Sequence, residues 1–553
     1  MATRKALDGK PYAENSHVWF DEGEVAPATT PRLGSLRCNV TRRNFFADAG
    51  FAALAATAGC CLSDHSCPAR GGDMFGFMLP PMDEIRFGFI GLNRGGAGVR
   101  PYSVIPNTRV TALCDINPEV IVRRQAEIAK CGRPPAKEYT GSSEAWKRMA
   151  DDPDVDFVIV GTPWALHTPM ATYLMEHGKH VGVEVPAAVN IEECWRLVET
   201  SERTRCVCMQ LENRCYNETE MMMGHAIRKG ALGEVVYAEC GYIHDIRSIL
   251  MPLLNGDGTY RPYPKSDQHI PVSKLKDGMI WRGHYDREHG GNAYPTHGIG
   301  PIAQILGINR GDRFDYLTSV DSCSASMRAY AEERYGVGSP EAKAAVFKMG
   351  DRNVSLIRTA NGKLISLSHN VVTPRPGSRL SLVEGTRGAF TCREAELESE
   401  HRGPDGKFHA LPSFRYTFSS TPVHSTSAWS SAEGGAQYAR ENAHPLWRDV
   451  KDLALKLGGH GGQDFMMFLR IAYCLHRGLP LDQDVYDLAS WSSIVELSER
   501  SADNRGRTVD FPDFTRGGWK NRTPLTIGSV DAEYLAGIAR AAEQYKLGVE
   551  RFH

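Results

Sequence analysis

The chain has 553 residues, 42% of them hydrophobic and 24% charged, with 64 basic against 66 acidic side chains and a formal charge of −2. That length calls for two domains plus tails, and so even a charge balance gives no electrostatic reason to expect a nucleic-acid partner. No apolar run reaches the roughly 18–20 residues of a membrane-spanning helix, so no membrane span is expected.

The first element in chain order reads as an export signal. Residues 41–62, TRRNFFADAGFAALAATAGCCL, place Arg42–Arg43 before Phe45–Phe46 and a short stretch rich in Ala and Gly. Basic residues, a weakly apolar core and then small residues are the order of an export signal rather than of a span. The twin arginines resemble the address of the Tat pathway, which moves folded proteins across a membrane. Residues 1–62 are therefore expected to be a Tat-like signal and leader, and the protein to be periplasmic or extracellular. Thr57-Ala58-Gly59-Cys60 loosely resembles a lipoprotein cleavage box, which offers Cys60 as a lipid anchor. Residues 63–82, with Gly71–Gly72 and Pro80–Pro81, read as a linker.

From Ile85 the pattern changes to strand and helix in alternation. The run Ile85–Ile90 ends in Gly91-Leu92-Asn93-Arg94-Gly95-Gly96-Ala97-Gly98. Glycine suits such a turn because the backbone must bend sharply and approach a pyrophosphate with no Cβ in the way. The helix that follows offers its first N–H groups to the phosphates. Asn93 stands at the middle glycine of GxGxxG, so the run alone is weak; the next strand, Val110–Cys114, strengthens it by ending in Asp115. An acid about 20 residues beyond the glycines is placed to accept hydrogen bonds from the adenosine ribose, and its charge favours NAD over NADP. Two more strand ends follow: Asp156–Val160 leads into Gly161-Thr162-Pro163-Trp164 and His167, and His180–Val183 leads into Glu184, Val185 and Pro186. Helical spacing over 168–178 and 191–204 separates them, as a parallel sheet requires. Residues 83–213 are expected to form a Rossmann dinucleotide-binding domain.

In the second half, apolar β-branched runs at 235–245, 313–321, 353–371 and 378–392 are separated by turns such as Asn361–Gly362. Grouped strands after an alternating half predict a separate α/β domain over 214–457 with an open, mainly antiparallel sheet. Its exposed face offers a homodimer surface. Residues 419–443, rich in Ser, Ala and Gly, read as a long loop. Helical spacing at 464–477 and 485–501, and from Asp531 to Phe552, predicts helices over 458–553 that pack back on both domains. Of the 14 cysteines, most read as small buried apolar residues, Cys114 and Cys240 within strands. His284 and His289 flank a polar stretch and read as solvated, and His460 among glycines reads as a substrate contact or, slightly favoured, a filler of a tight loop. No His/Cys/Asp group has metal spacing, so no metal is expected.

At this point the sequence resembles the Gfo/Idh/MocA oxidoreductases, which join a Rossmann domain to an open-sheet α/β domain. Most of those are sugar or polyol dehydrogenases with Glu-Lys-Pro after the strand; here the triplet is Glu184-Val185-Pro186. Losing the cation removes the group expected to hold and acidify a substrate hydroxyl. Four segments resemble one branch, the NAD-dependent α-N-acetylgalactosaminidases of glycoside hydrolase family 109. They are Glu184–Ala188, Tyr294-Pro295-Thr296-His297-Gly298, Gly459–Gly462 with Asp464, and residues 508–519, TVDFPDFTRGGW. The resemblance implies Gly91, Asn93 and Arg94 at the pyrophosphate and Asp115 at the ribose. It puts Trp164, Ala165, Leu166 and His167 along the nucleotide, and Glu184, Val185 and Asn213 beside the nicotinamide half. Tyr242, Arg282, Tyr294, Pro295, Thr296 and His297 would bind a small glycoside or glycan terminus. Gly377 stands where the family usually has Tyr, which removes an aromatic wall from the sugar pocket.

NAD-dependent glycosidases are an exception to the usual pair of carboxylates. Oxidising the C3 hydroxyl of the sugar to a ketone makes the C2 proton acidic; a base can then remove it and the glycosidic oxygen leaves. Water adds to the enone and C3 is reduced again, so NAD is regenerated within the cycle. His297 suits the base because imidazole accepts and returns protons near neutral pH. Tyr294 lies on the same side if the segment begins a helix. Which of the two takes which proton is open at this level. Three classes compete: a glycosidase that recycles NAD, a sugar dehydrogenase that releases NADH, and a non-catalytic sugar-binding homologue. Val185 counts against the second, Tyr294 and His297 against the third, and Gly377 keeps the third alive.

Overall fold

Ile85–Ile90 (β1) has five of its six residues buried, the signature of a strand covered on both faces by helices. The computed structural model describes residues 72–251, 280–393, 413–419 and 428–545. The Tat-like signal, Cys60 and the first part of the linker lie outside the described residues.

Around β1 assemble Thr108–Cys114 (β2), Lys137–Tyr139 (β3), Phe157–Val160 (β4), His180–Val183 (β5) and Cys208–Gln210 (β6). The order is β3-β2-β1-β4-β5-β6 and every pairing is parallel. Helices supply the crossovers: Val99–Val104 (α1), Pro118–Lys130 (α2), Trp164–Glu176 (α3) and Ile191–Thr204 (α4). Local chemistry sets their starts. Asn117 caps α2 by accepting the Glu119 amide, ahead of Pro118, and Asn190 caps α4 by accepting the Glu193 amide.

The second sheet has eight strands in the order β13-β12-β11-β7-β10-β9-β8-β14. They are Val235–Ile243 (β7), Phe314–Asp321 (β8), Asn353–Thr359 (β9), Leu364–Asn370 (β10), Ser381–Gly385 (β11), Gly388–Arg393 (β12), Ser413–Phe418 (β13) and Val509–Asp510 (β14). All pairings are antiparallel except β7 with β10. Ile280–Glu288 (α5) and Thr296–Leu306 (α6) lie between β7 and β8 in the chain, and α6 packs on β7. Gln463–Arg477 (α7) reaches back to the first sheet, where Phe468 meets Tyr102 of α1 edge-on at 5.4 Å.

Two sequence expectations need correction. From residue 72 the supposed linker is docked: Asp73 accepts from Arg522 Nη2 at 2.6 Å, and the Met74 amide donates to the Tyr486 hydroxyl at 3.2 Å. Within 419–443, Ala432–Glu441 is a helix rather than loop. Gly434–Gly435 hid it, since glycine disfavours helix, yet a Cβ on Gly435 would strike the Phe414 carbonyl. Tertiary packing, with Tyr438 among Phe390, Phe414 and Tyr416, outweighs propensity. Of the ten cysteines among the described residues, nine are buried and all are free thiols. None of the described helices is long and apolar enough to cross a membrane.

Candidate active site

Strand order reverses between β1 and β4, and in such sheets ligands bind in the crevice beyond that point. A glycine follows each strand there, Gly91 after β1 and Gly161 after β4. Gly91 has φ +81°, and a Cβ on it would lie 2.5 Å from the Gly161 carbonyl oxygen; a Cβ on Gly95 would lie 2.7 Å from Gly161 Cα. Only bare backbone fits, and bare backbone lets a pyrophosphate come close. Arg124 Nε braces the loop by donating to the Leu92 carbonyl at 2.9 Å. Asn93 and Arg94 are exposed at its crest. Asp115 closes β2: Oδ2 accepts the Leu92 amide at 2.7 Å and Oδ1 the Asn117 amide at 2.9 Å. Burial lifts this carboxyl above its ordinary value, against the pull of those amides. Each oxygen keeps a lone pair for a ribose hydroxyl. The cradle of backbone and the acid beside it fit NAD.

The crevice continues past β4 and β5. Trp164 begins α3 and donates from Nε1 to the Val185 carbonyl at 3.2 Å. His167 sets its ring nitrogens 2.9 Å and 2.7 Å from the carbonyls of Pro186 and Thr162, which ties α3 to both strand ends. Ala165 and Leu166 are exposed between them. Val185 is buried, an apolar side chain in place of a lysine. Burial, and then the charges of Asp464 and Glu212, push the Glu184 carboxyl up to about 7. Asn213 donates to Asp464 Oδ1 at 2.6 Å, and Asp464 Oδ2 lies 2.7 Å from His460 Nδ1. The His460 ring is 68% exposed, so it does not fill the glycine loop. Its hydrogen bond to Asp464 raises its proton affinity.

Side chains from the second sheet meet this end of the crevice. The Tyr294 ring stacks on Trp164 at 5.8 Å and meets His297 edge-on at 4.9 Å. Tyr242, from β7, lies 4.7 Å from Tyr294 and 5.5 Å from His297. A Cβ on Gly298 would lie 2.6 Å from the Gly241 nitrogen. That close approach is what seats the start of α6 on β7 and brings His297 to Tyr242. Tyr294 precedes α6 instead of lying in it, so loop packing and not helical spacing pairs it with His297. Pro295 and Thr296 are buried at the helix start. The Arg282 guanidinium sits over Tyr294 at 4.4 Å and Trp164 at 5.0 Å, a cation held between aromatic faces. Burial drives the Tyr294 phenol far above its ordinary value. Burial also lowers His297, against the charge of Glu212.

The sequence reading missed Glu212, whose Oε1 lies 2.7 Å from His297 Nδ1, and Arg379, whose guanidinium covers Tyr242 at 4.7 Å. It also read His284 as solvated, whereas α5 buries it. No local pattern announces these contacts; each joins segments far apart in the chain. Gly377 is exposed, and a Cβ there would find only the Ile243 carbonyl, at 3.6 Å. Among the described residues no group of His, Cys, Asp and Glu could hold a metal.

Residues 85–211 match the oxidoreductase family, NAD-binding Rossmann fold, and residues 216–521 match the glycosyl hydrolase 109 C-terminal domain. A glycosyl hydrolase family 109 protein of Shewanella pealeana is 37% identical over 494 residues, 88% of this chain and 99% of that one. One from Shewanella sp. strain W3-18-1 is 38% identical over 496 residues, with the same coverage. Among solved structures, a levoglucosan dehydrogenase in complex with NADH and levoglucosan superposes with a TM-score of 0.51 at 18% identity, covering 78% of this chain and all of that one. That likeness concerns the fold. The first half is an NAD-binding Rossmann domain, and the chain as a whole belongs to glycosyl hydrolase family 109.

Proposed function

We propose that the protein hydrolyses terminal α-N-acetylgalactosaminides through oxidation at C3, elimination, water addition and re-reduction. The observation that carries the reading is the seating of Tyr294 against Trp164, whose indole is tied to Val185 at the end of the NAD crevice, with His297 against Tyr294. NAD, when bound, supplies the two-electron acceptor and donor for one sugar carbon. The chain supplies the rest. His297 is the base at C2–H, because burial keeps its imidazole neutral at neutral pH. Tyr294, with so strongly raised a phenol, stays protonated and serves as a hydrogen-bond donor to a sugar oxygen. Val185 offers no ammonium beside the C3 hydroxyl, so the proton released there on oxidation goes to solvent and is taken back from solvent on re-reduction. Arg282 and Tyr242 line the sugar side, and Gly377 leaves one rim open.

A panel of p-nitrophenyl glycosides assayed with no NAD added tests the proposal. It expects release of p-nitrophenol from the α-N-acetylgalactosaminide and NAD, unconsumed, in the supernatant of the denatured enzyme. Accumulation of NADH with an oxidised sugar would make the protein a dehydrogenase.

We further propose export by the Tat-like signal, with a lipid anchor at Cys60; normal export of an Arg42→Lys, Arg43→Lys precursor would contradict it. The outer sheet face, where Tyr316, Val320, Leu356 and Leu364 are exposed, is proposed as a homodimer surface.

A further inference from the structure

The base assigned to His297 has a partner that nothing in the local sequence announces. Glu212 follows β6, and its side chain is wholly buried, 0% exposed, beneath a His297 ring that is 14% exposed. Oε1 lies 2.7 Å from His297 Nδ1 and also accepts the Arg214 amide at 3.0 Å. The backbone beneath is pinned by Gln483 Nε2, which donates to the Glu212 carbonyl at 3.1 Å. From above, α6 leaves room for the carboxylate: a Cβ on Gly300 would lie 2.8 Å from Glu212 Cγ. Three elements distant in sequence thus hold one carboxylate against one nitrogen of the imidazole.

We infer that Glu212 is the positioning residue of the site: it fixes His297 as the Nδ1–H tautomer and so makes Nε2 the basic atom. An ionised carboxylate can only accept, so the proton on the shared contact belongs to Nδ1. Burial opposes that ionisation; the His297 ring, by the charge it carries when protonated and by its hydrogen bond, and the Arg214 amide favour it and hold Glu212 below its ordinary value. Nε2 makes no hydrogen bond to another described residue, on a ring that is partly exposed, so it stays open to a substrate proton. Aligning a base by a buried carboxylate is a general device for fixing both ring orientation and tautomer. The charges that act on His297 are those of Glu212, Arg379 and Arg214, with Tyr242 and Tyr294 against its ring. Of these only Glu212 raises its proton affinity.

The inference rests on His297 being the base, so its test includes a readout that needs no turnover. In the NAD-loaded full chain with 15N-labelled histidine, the His297 resonances, assigned with His297→Gln, are expected to show Nδ1 protonated and Nε2 bare. Glu212→Gln, of the same shape, can turn its NH2 toward Nδ1 and reverse that pattern. Its kcat is expected to fall about 10²- to 10⁴-fold, the scale for losing a base or its orienting carboxylate, with KM and NAD content held. The residual activity should show its acid limb at lower pH, because the charge that favours protonated imidazole is gone. Glu212→Asp, which keeps the charge, should retain that limb. A wild-type His297 protonated on Nε2, or a Glu212→Gln enzyme with unchanged kcat and acid limb, would overturn the inference. A protein with the expected tautomer and no glycosidase activity would instead refute the proposed reaction and leave the role of Glu212 standing.

Discussion

The two walls of the crevice are built in different ways. The NAD wall is mostly backbone: glycines at the ends of β1 and β4 approach so closely that a Cβ has no room, and one acid stands at the end of β2. The wall proposed to face the sugar is mostly side chain. Tyr242 comes from a strand, Tyr294 from a loop, His297 from a helix start, and Glu212 from just beyond β6, the edge strand of the other sheet. The first wall should therefore fail when space is filled, and the second when chemistry is removed.

His297→Ala removes the base and should lower kcat by about 10²–10⁴, while NAD measured after denaturation stays at the wild-type level. Loss of NAD along with activity would mean that the two walls are one cooperative unit. Gly91→Val does the opposite. Its side chain meets the Gly161 carbonyl in a left-handed backbone conformation costly for a branched residue. Retained NAD should fall to about a tenth or less, and saturating NAD should restore part of kcat; full retention would show that the cradle has slack.

The pH profile separates two carboxyl-linked groups on the sugar side. His297, lowered by burial from 6.5, is neutral and basic until the pH falls below that value. The acid limb of kcat/KM should therefore lie below pH 6.5. A limb near 7 would point to ionisation of Glu184 as the controlling event. The smallest effect is expected far from both walls. Asp73→Ala breaks the contact of the N-terminal strap with Arg522, but that aspartate side chain is 57% exposed. Its loss should still cost about 1–3 kcal/mol, because it takes a partner from Arg522, which is buried, and leave kcat unchanged.

Legibility in the sequence follows the same division. The parallel sheet was readable because buried strands, glycine turns and the acid at Asp115 recur within short windows. The open sheet was readable as grouped strands, though the docked strap at residue 73 and the helix at Ala432–Glu441 were not, since Gly434–Gly435 and Pro80–Pro81 look like loop out of context. Tyr294 and His297 stood out as a pair by resemblance, yet their meeting depends on Gly298 pressing against Gly241, which no spacing announces. Glu212, Arg379 and the Asn213–Asp464 pair act across more of the chain than any local motif spans.

The central claim is that elimination passes through a sugar oxidised at C3, so that the hydrogen on C2 must leave and be replaced from solvent. Turnover of the α-N-acetylgalactosaminide in D2O, followed by NMR of the released sugar, tests this most directly. The account predicts deuterium at C2 of the product. Released N-acetylgalactosamine that keeps its original C2 hydrogen would contradict it, even with the substrate correctly assigned.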